Sequence, residues 1–259
     1  MGKAVETVGG AIGDVVGSVV GVVVGFVGDI VGELIPTPEI GLDASDQELR
    51  VASNPTRYAI FGETVTSGPI VKYDKRKEGK KEYHLFFTPL ADHPCESVEL
   101  YQLDGKRTTA ATGNGYRLQY RFGDQTTAPA TAVAEMSNVD NTFVGFNITD
   151  VYHKYVIDSD VFPNGVQDVK FKVRGRKVYD PRKDDTAGGS GDHRDSDETT
   201  WEWSDNPALI NLHWKRFGGA IDIPTSRFDM SNIAAEANVC DEMVTFTDKN
   251  GDSQTEKRY

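Results

Sequence analysis

DSDVFPNGVQDVKFKVRGRKVYDPR, residues 158–182, reads as two short extended runs hinged on one glycine. Residues 169–173 and 177–179 are rich in β-branched and aromatic side chains alternating with charged ones, the period of a strand that buries one face. Asn164-Gly165 marks a turn ahead of the first run, and Gly175 sits between the two. Arg174, Arg176 and Lys177 flank that glycine, placed to pair with nearby acids, while Tyr179 offers a large apolar surface with a polar tip. Pro181 closes the second run, because proline withholds the donor a ladder needs.

Working upstream, the same texture continues through residues 58–61, 69–73, 83–88, 98–103, 116–122, 143–148 and 154–157, punctuated by Asp104-Gly105 and Asn114-Gly115. Strands so closely spaced predict antiparallel β structure. Downstream, residues 184–198 (DDTAGGSGDHRDSDE) hold no apolar anchor and read as a mobile surface loop. Helix signals follow. Asn206 can cap an N-terminus with Pro207 at the first helical position, Trp203 lies just before, and Gly218-Gly219 supply a stop. Ser231 reads as a second cap, with Ile233, Ala237 and Cys240 falling on one buried face. Residues 244–247 and 255–259 then form a hairpin through Asp248-Lys249-Asn250-Gly251.

A chain of 259 residues with 38% apolar composition can hold one large or two medium domains. Its net charge of −12 repels phosphates and disfavours a direct grip on nucleic acid unless a basic stripe is set apart. One basic cluster exists, residues 72–81 (KYDKRKEGKK). It reads first as a solvated hairpin tip and, more sharply, as an interaction patch. Cys95 and Cys240 lie far apart and suggest isolated thiols.

Residues 5–35 differ from the rest. At 100° per residue Gly13, Gly17, Gly21, Gly25, Gly28 and Gly32 share one side of a helix and aliphatic side chains the other. Each interior glycine costs about 1 kcal/mol, so such a helix needs partners that approach closely. The charge-free run spans only about 21 Å, short of the hydrocarbon layer, which favours packing inside an oligomer over a membrane span. Asp14 interrupts the apolar stretch and no cleavage site follows, against a secretory signal. Pro36-Thr37-Pro38 ends the segment.

Reactive constellations are wanting, and no catalytic, cofactor or metal set is expected. Asp248-x-Asn250-x-Asp252 starts like a calcium loop, but Ser253 stands where glycine is required and Tyr259 where glutamate is. His193 among Asp192, Asp195 and Asp197 has no fixed frame, and the remaining histidines show no ligand spacing.

Residues 158–182, followed by WEWSDNPALI and AAEANVCDEMVTF, resemble in order and spacing the hub region of the tail tip attachment proteins of lambda-like long-tailed phages. The resemblance covers about residues 54–259. It implies an α+β, mainly β protein of barrel-like hub domains, with short helices near the C-terminus. The implied map is a helical segment 1–38, a split hub domain 39–81 and 150–181, an inserted β domain 82–149, an acidic loop 182–200, and the start of a next hub domain 201–259. Gly175, Arg176, Tyr179, Pro181, Trp203, Asn206, Pro207 and Cys240 take structural roles in this reading, and the six N-terminal glycines take axial contacts between chains. It further implies a homotrimer at the virion's tail tip, touching distal tail protein, tape measure protein and other tip proteins. Receptor binding would belong to parts other than these residues. A membrane-active protein acting through the glycine-rich segment during DNA delivery is the alternative.

Overall fold

The computed structural model describes residues 55–56, 58–163, 165, 169–218 and 223–259. The segment carrying Gly13, Gly17, Gly21, Gly25, Gly28 and Gly32 lies outside the described residues. Every element below lies within the compact unit that ends at Arg258.

Nine strands come first: β1 (Glu63–Thr66), β2 (Lys72–Glu78), β3 (Lys81–Ala91), β4 (Ser97–Leu103), β5 (Lys106–Arg107), β6 (Thr112–Gly113), β7 (Tyr116–Phe122), β8 (Thr149–Val156) and β9 (Lys170–Arg174). They make two antiparallel sheets, one in the order β1-β9-β4-β5 and one in the order β2-β3-β8-β7-β6. No closed barrel forms among the described residues; the chain is mainly β, built of several antiparallel sheets with a few short helices.

Side-chain alternation explains how the sheets stack. In β8, Val151, His153 and Tyr155 point to one face, and Tyr155 and Val151 join Phe171 and Val173 of β9 and Val98 and Leu100 of β4 in one core. Asp150, Tyr152 and Lys154 point to the other face, which is covered by helix α1 (Ala130–Glu135) and the turns after it. All eight residues of β8 are therefore buried. The second face is polar as well as apolar. Glu135 of α1 accepts from the Tyr152 hydroxyl at 2.6 Å and from Arg117 at 2.8 Å, with Lys154 Nζ at 3.3 Å. Arg121 grips Asp150 with two nitrogens. Truncating one partner of so enclosed a network leaves a buried charge uncompensated, which is why such sets hold a strand in register.

The strand pairing redraws the expected domain map. Residues 82–149 are not a separable insertion, for β3 runs between β2 and β8 and β4 runs between β9 and β5. The two parts of the expected split hub domain do not pair directly: β3 stands between residues 72–78 and 149–156, with Phe86 opposite Tyr73 and Tyr83 opposite Val156. The reason is local: a two-residue turn at Gly79-Lys80, Gly79 at φ +61°, folds β2 directly onto β3 before the chain can go elsewhere. Residues 143–148 form turns in place of a strand, with Asn147 at φ +59° and Phe146 exposed. The C-terminal region shares a core with the residues after Gly175: Val178 packs with Ala208, Leu209 and Ala237.

After β9 come β10 (Lys177–Val178) and β11 (Glu202–Trp203), paired with each other, then α2 (Pro207–Phe217), α3 (Met230–Cys240) and the hairpin β12 (Met243–Thr247) and β13 (Ser253–Lys257). The expected cap Ser231 is corrected to Asp229, whose Oδ1 accepts from Ser231 N at 3.0 Å and Asn232 N at 3.2 Å; a carboxylate two residues earlier competes better for the free amides. No helix among the described residues is long and apolar enough to cross a membrane.

A fragment of residues 82–149 alone is expected to stay unfolded, with narrow amide dispersion in NMR, because its three long strands, β3, β4 and β7, have each lost a neighbour. A well-dispersed spectrum would restore the insertion.

Candidate functional site

The hub-like motif gathers where the two-sheet body meets the helical region. Its centre is residues 58–62; the strand expected over 58–61 is an extended connector there, β1 beginning only at Glu63. Ile60 N donates to His93 Nε2 at 2.8 Å, and the Ile60 carbonyl accepts from Arg176 N at 2.9 Å. Gly175 N donates to the Gly62 carbonyl at 2.8 Å, and that same oxygen accepts from Trp203 Nε1 at 3.2 Å. The closeness of this crossing explains Gly175: a Cβ there would stand 2.0 Å from the Ile60 oxygen. Arg174 lays its guanidinium over the Trp203 ring at 4.7 Å, and Arg176 reaches Glu198 only at 3.7 Å.

Beyond the glycine, Asp180 and Pro181 start a short 3-10 turn, Asp180 capping it through Arg182 N at 2.9 Å. Asp180 also holds the Arg182 guanidinium from two sides, which frees Arg182 Nη1 to donate to Asp241 at 2.9 Å and Asn238 at 3.1 Å at the end of α3. Tyr179 donates its hydroxyl to Asp184 at 2.7 Å. Asp184 in turn accepts from Thr186 N and Oγ1, and pairs with Arg194. Burial pushes the Asp184 carboxyl upward, but the bonds from Thr186 and Tyr179 and the charge of Arg194 hold it below its ordinary value.

The acidic loop is therefore not a mobile surface loop. Asp184 is 2% exposed and His193 4%, and three successive 3-10 turns are each capped by an aspartate, Asp180, Asp184 and Asp197. An aspartate two residues ahead of the amide it caps gives a polar segment structure without any apolar anchor of its own. Trp201 closes it by donating Nε1 to the Arg194 carbonyl at 2.8 Å. Arg216, buried on α2, pairs with Asp195 and lies 4.6 Å from the Phe217 ring centre.

Asn206 performs the expected cap and a second task. Its Oδ1 accepts from Ala208 N at 3.0 Å and Leu209 N at 3.4 Å, while Nδ2 donates to the Ala237 carbonyl of α3 at 2.8 Å. Pro207 occupies the first helical position, and half-buried Cys240 packs beside Leu209 and Ala237. The motif residues thus converge on one joint. Asp180, Arg182 and Asp184 escaped the sequence reading, although Asp180-Pro181 is itself a cap signal, and His193, expected to have no fixed frame, is buried and held by Asp180 N.

The joint's histidines are structural. His93 Nε2 accepts an amide proton, so Nδ1 carries the hydrogen and donates to the Pro94 carbonyl at 2.8 Å. His193 Nδ1 accepts from Asp180 N at 3.2 Å. His213 stacks among Phe61, Trp201 and Phe217. Burial, helped at His213 by Arg176 and Arg216, lowers all five histidines, His153 and His213 to about 3. Cys95 is buried too, its thiol pushed up to about 11 by burial and so kept protonated. Among the described residues no group of three or more His, Cys, Asp or Glu is placed to hold a metal ion. Asp248 binds the amides of Asn250 and Asp252 as a turn.

No family profile matches the chain, and no curated protein does. Among solved structures, a chain of the virion of a native gene transfer agent particle is similar at 15% identity and a TM-score of 0.36. The match covers 60% of this chain and 39% of that one, and likeness at this level carries no argument.

Two outcomes test the joint. Gly175→Ala is expected to destabilise by about 3 kcal/mol or more, since a backbone carbonyl must move, whereas Asn206→Ala should cost about 2 kcal/mol in denaturant titration. The histidines set the pH response. Their folded pKa values lie below the unfolded value near 6.5, so stability is full above about pH 6.5 and falls as pH drops toward 3, where the unfolded chain takes protons the fold refuses. Asp150, raised by burial against the pull of Arg121 to about 6, acts in the opposite sense, one carboxyl against five imidazoles. His213→Phe should flatten the decline between pH 6 and 4 by about 1 kcal/mol per pH unit.

Proposed function

We propose that the chain is a non-catalytic structural protein of a phage virion, the hub of a tail tip that closes the tail tube. The observation that carries this reading is the convergence of the motif residues Gly175, Tyr179, Pro181, Trp203, Asn206 and Pro207 on one joint. Their polar groups are held within the joint, Tyr179 on the Asp184 carboxylate and Trp203 and Asn206 on backbone groups, which suits a scaffold. The buried, neutral histidines and the protonated Cys95 support the same reading, for none is placed as an activated base or nucleophile.

In this role the protein would assemble as a homotrimer around the tail axis, with distal tail protein above, tape measure protein within, and other tip proteins around it. Closed ring symmetry needs two different surfaces per subunit, which a two-sheet body with a laterally attached helical region offers. Expected is a native mass three times the chain's 28.4 kDa, and threefold density for this chain at the tip of purified tails in electron cryomicroscopy. A single copy per tail, or density in head or sheath, would overturn the hub.

A further inference from the structure

The hairpin of β12 and β13 stands apart from the larger sheets. Its two strands pair only with each other, and among the described residues no third strand joins them. Every strand residue is exposed except half-buried Val244, Met243 and Phe246 included. A lone two-stranded hairpin is marginal in water and gains stability from a further strand.

The ladder shows which backbone groups are free. Asp248 N donates to the Asp252 carbonyl at 2.9 Å and Arg258 N to the Glu242 carbonyl at 2.8 Å, one pair at each end of a register without shifts. Bonded pairs alternate in an antiparallel ladder, so Val244 with Glu256 and Phe246 with Gln254 also turn inward. Met243, Thr245 and Thr247 on β12, and Ser253, Thr255 and Lys257 on β13, therefore turn their N–H and C=O groups outward. None of these backbone groups has a partner among the described residues. Other edges are guarded: β2 carries Lys72, Lys75, Arg76 and Lys77, and β5, β6, β10 and β11 are two residues long. β12 runs for five residues with neither charge, proline nor bulge.

A strand that fits β12 is already on display. β13 matches it over its whole length, down to a contact of 3.1 Å between the hydroxyls of Thr245 and Thr255. Laid in the same register on the outer edge of β12, β13 of a second copy meets the outward row 243, 245, 247 with its own outward row 257, 255, 253, and brings Arg258 opposite Glu242. Pairing β12 with β12 about Thr245 would instead set Glu242 against Asp248 twice, like charges directly opposite. Pairing β13 with β13 would leave the uncharged edge open.

We infer that copies of this chain join head to tail through this hairpin, β12 of one copy pairing antiparallel with β13 of the next. The two edges differ, so each copy bonds two neighbours, as in a ring. A ring of three rests on the hub reading; the pairing does not.

The test is native mass spectrometry and sedimentation of the full chain with a proline on either edge. Thr245→Pro removes an outward N–H from β12 and spares the inward bonds, and Thr255→Pro does the same on β13. Each variant should assemble about tenfold more weakly or worse, whereas Thr245→Val keeps the N–H and should assemble like the unsubstituted chain. Mixed, the two proline variants retain one compatible pair of edges and should form dimers and nothing larger. Hydrogen exchange needs no substitution: the outward amides should slow by about tenfold or more as rising concentration drives assembly. A monomer at every concentration, or dimers of either proline variant by itself, overturns the pairing. So does equal protection of the outward amides in the dilute chain, which would mean that the chain covers its own edge. A trimer at the tail tip indifferent to both prolines sinks the pairing alone. Proline-sensitive assembly into another number of copies, absent from tails, upholds the pairing and sinks the hub.

Discussion

The backbone of one residue ties the two-sheet body to the turn that leads into the helical region. Ile60 gives its N–H to His93, from the loop after β3, and its carbonyl to Arg176, from the turn between β9 and β10. Around it the Gly62 carbonyl takes both the Gly175 amide and the Trp203 indole. A buried backbone group without a partner costs about as much as a lost hydrogen bond, so an extended connector can pass between two bodies only if both supply partners. Gly175 lacks a side chain because the connector occupies its space, and His93 stays neutral because it must accept. Trp203 then draws β11, and with it the cap of α2, against the same connector.

The part of the fold legible in sequence was the part governed by local rules. The runs at 98–103 and 116–122 became β4 and β7, and the turn residues Asp104-Gly105 lie at the β4–β5 hairpin. Asn206 with Pro207 fixed the start of α2 because the capping amides are its own neighbours in the chain. The fold class followed from these.

What could not be read was long-range or depended on polar partners. Nothing in residues 82–149 says that β3 will enter the middle of a sheet, between β2 and a strand, β8, that begins only at Thr149; hydrophobic alternation names a buried face without naming the neighbour. The helix α1 has six residues and holds its place through Glu135, a contact invisible to periodicity. The acidic loop misled because its order comes from aspartate caps and from Tyr179 and Trp201, side chains outside it. Likewise the charge of residues 72–81 averages to a modest surplus along the chain, and only strand alternation sets Lys75 and Lys77 on the face away from Asp74 and Glu78.

The ladder that pairs β1 with β9 carries a consequence for the life of the chain on the ribosome. Glu63 waits for Arg174, 111 residues later, before its strand has any partner. At a synthesis rate of about 5 to 20 residues per second, that edge stays open for roughly 5 to 20 s. During this interval β2 and β3 can zip through their two-residue turn and the five-stranded sheet can complete once β8 has emerged, but the sheet of β1 and β4 cannot close until β9 follows. Topology therefore makes folding a late, cooperative event and leaves nascent strands exposed to pairing with a neighbouring polysome's product.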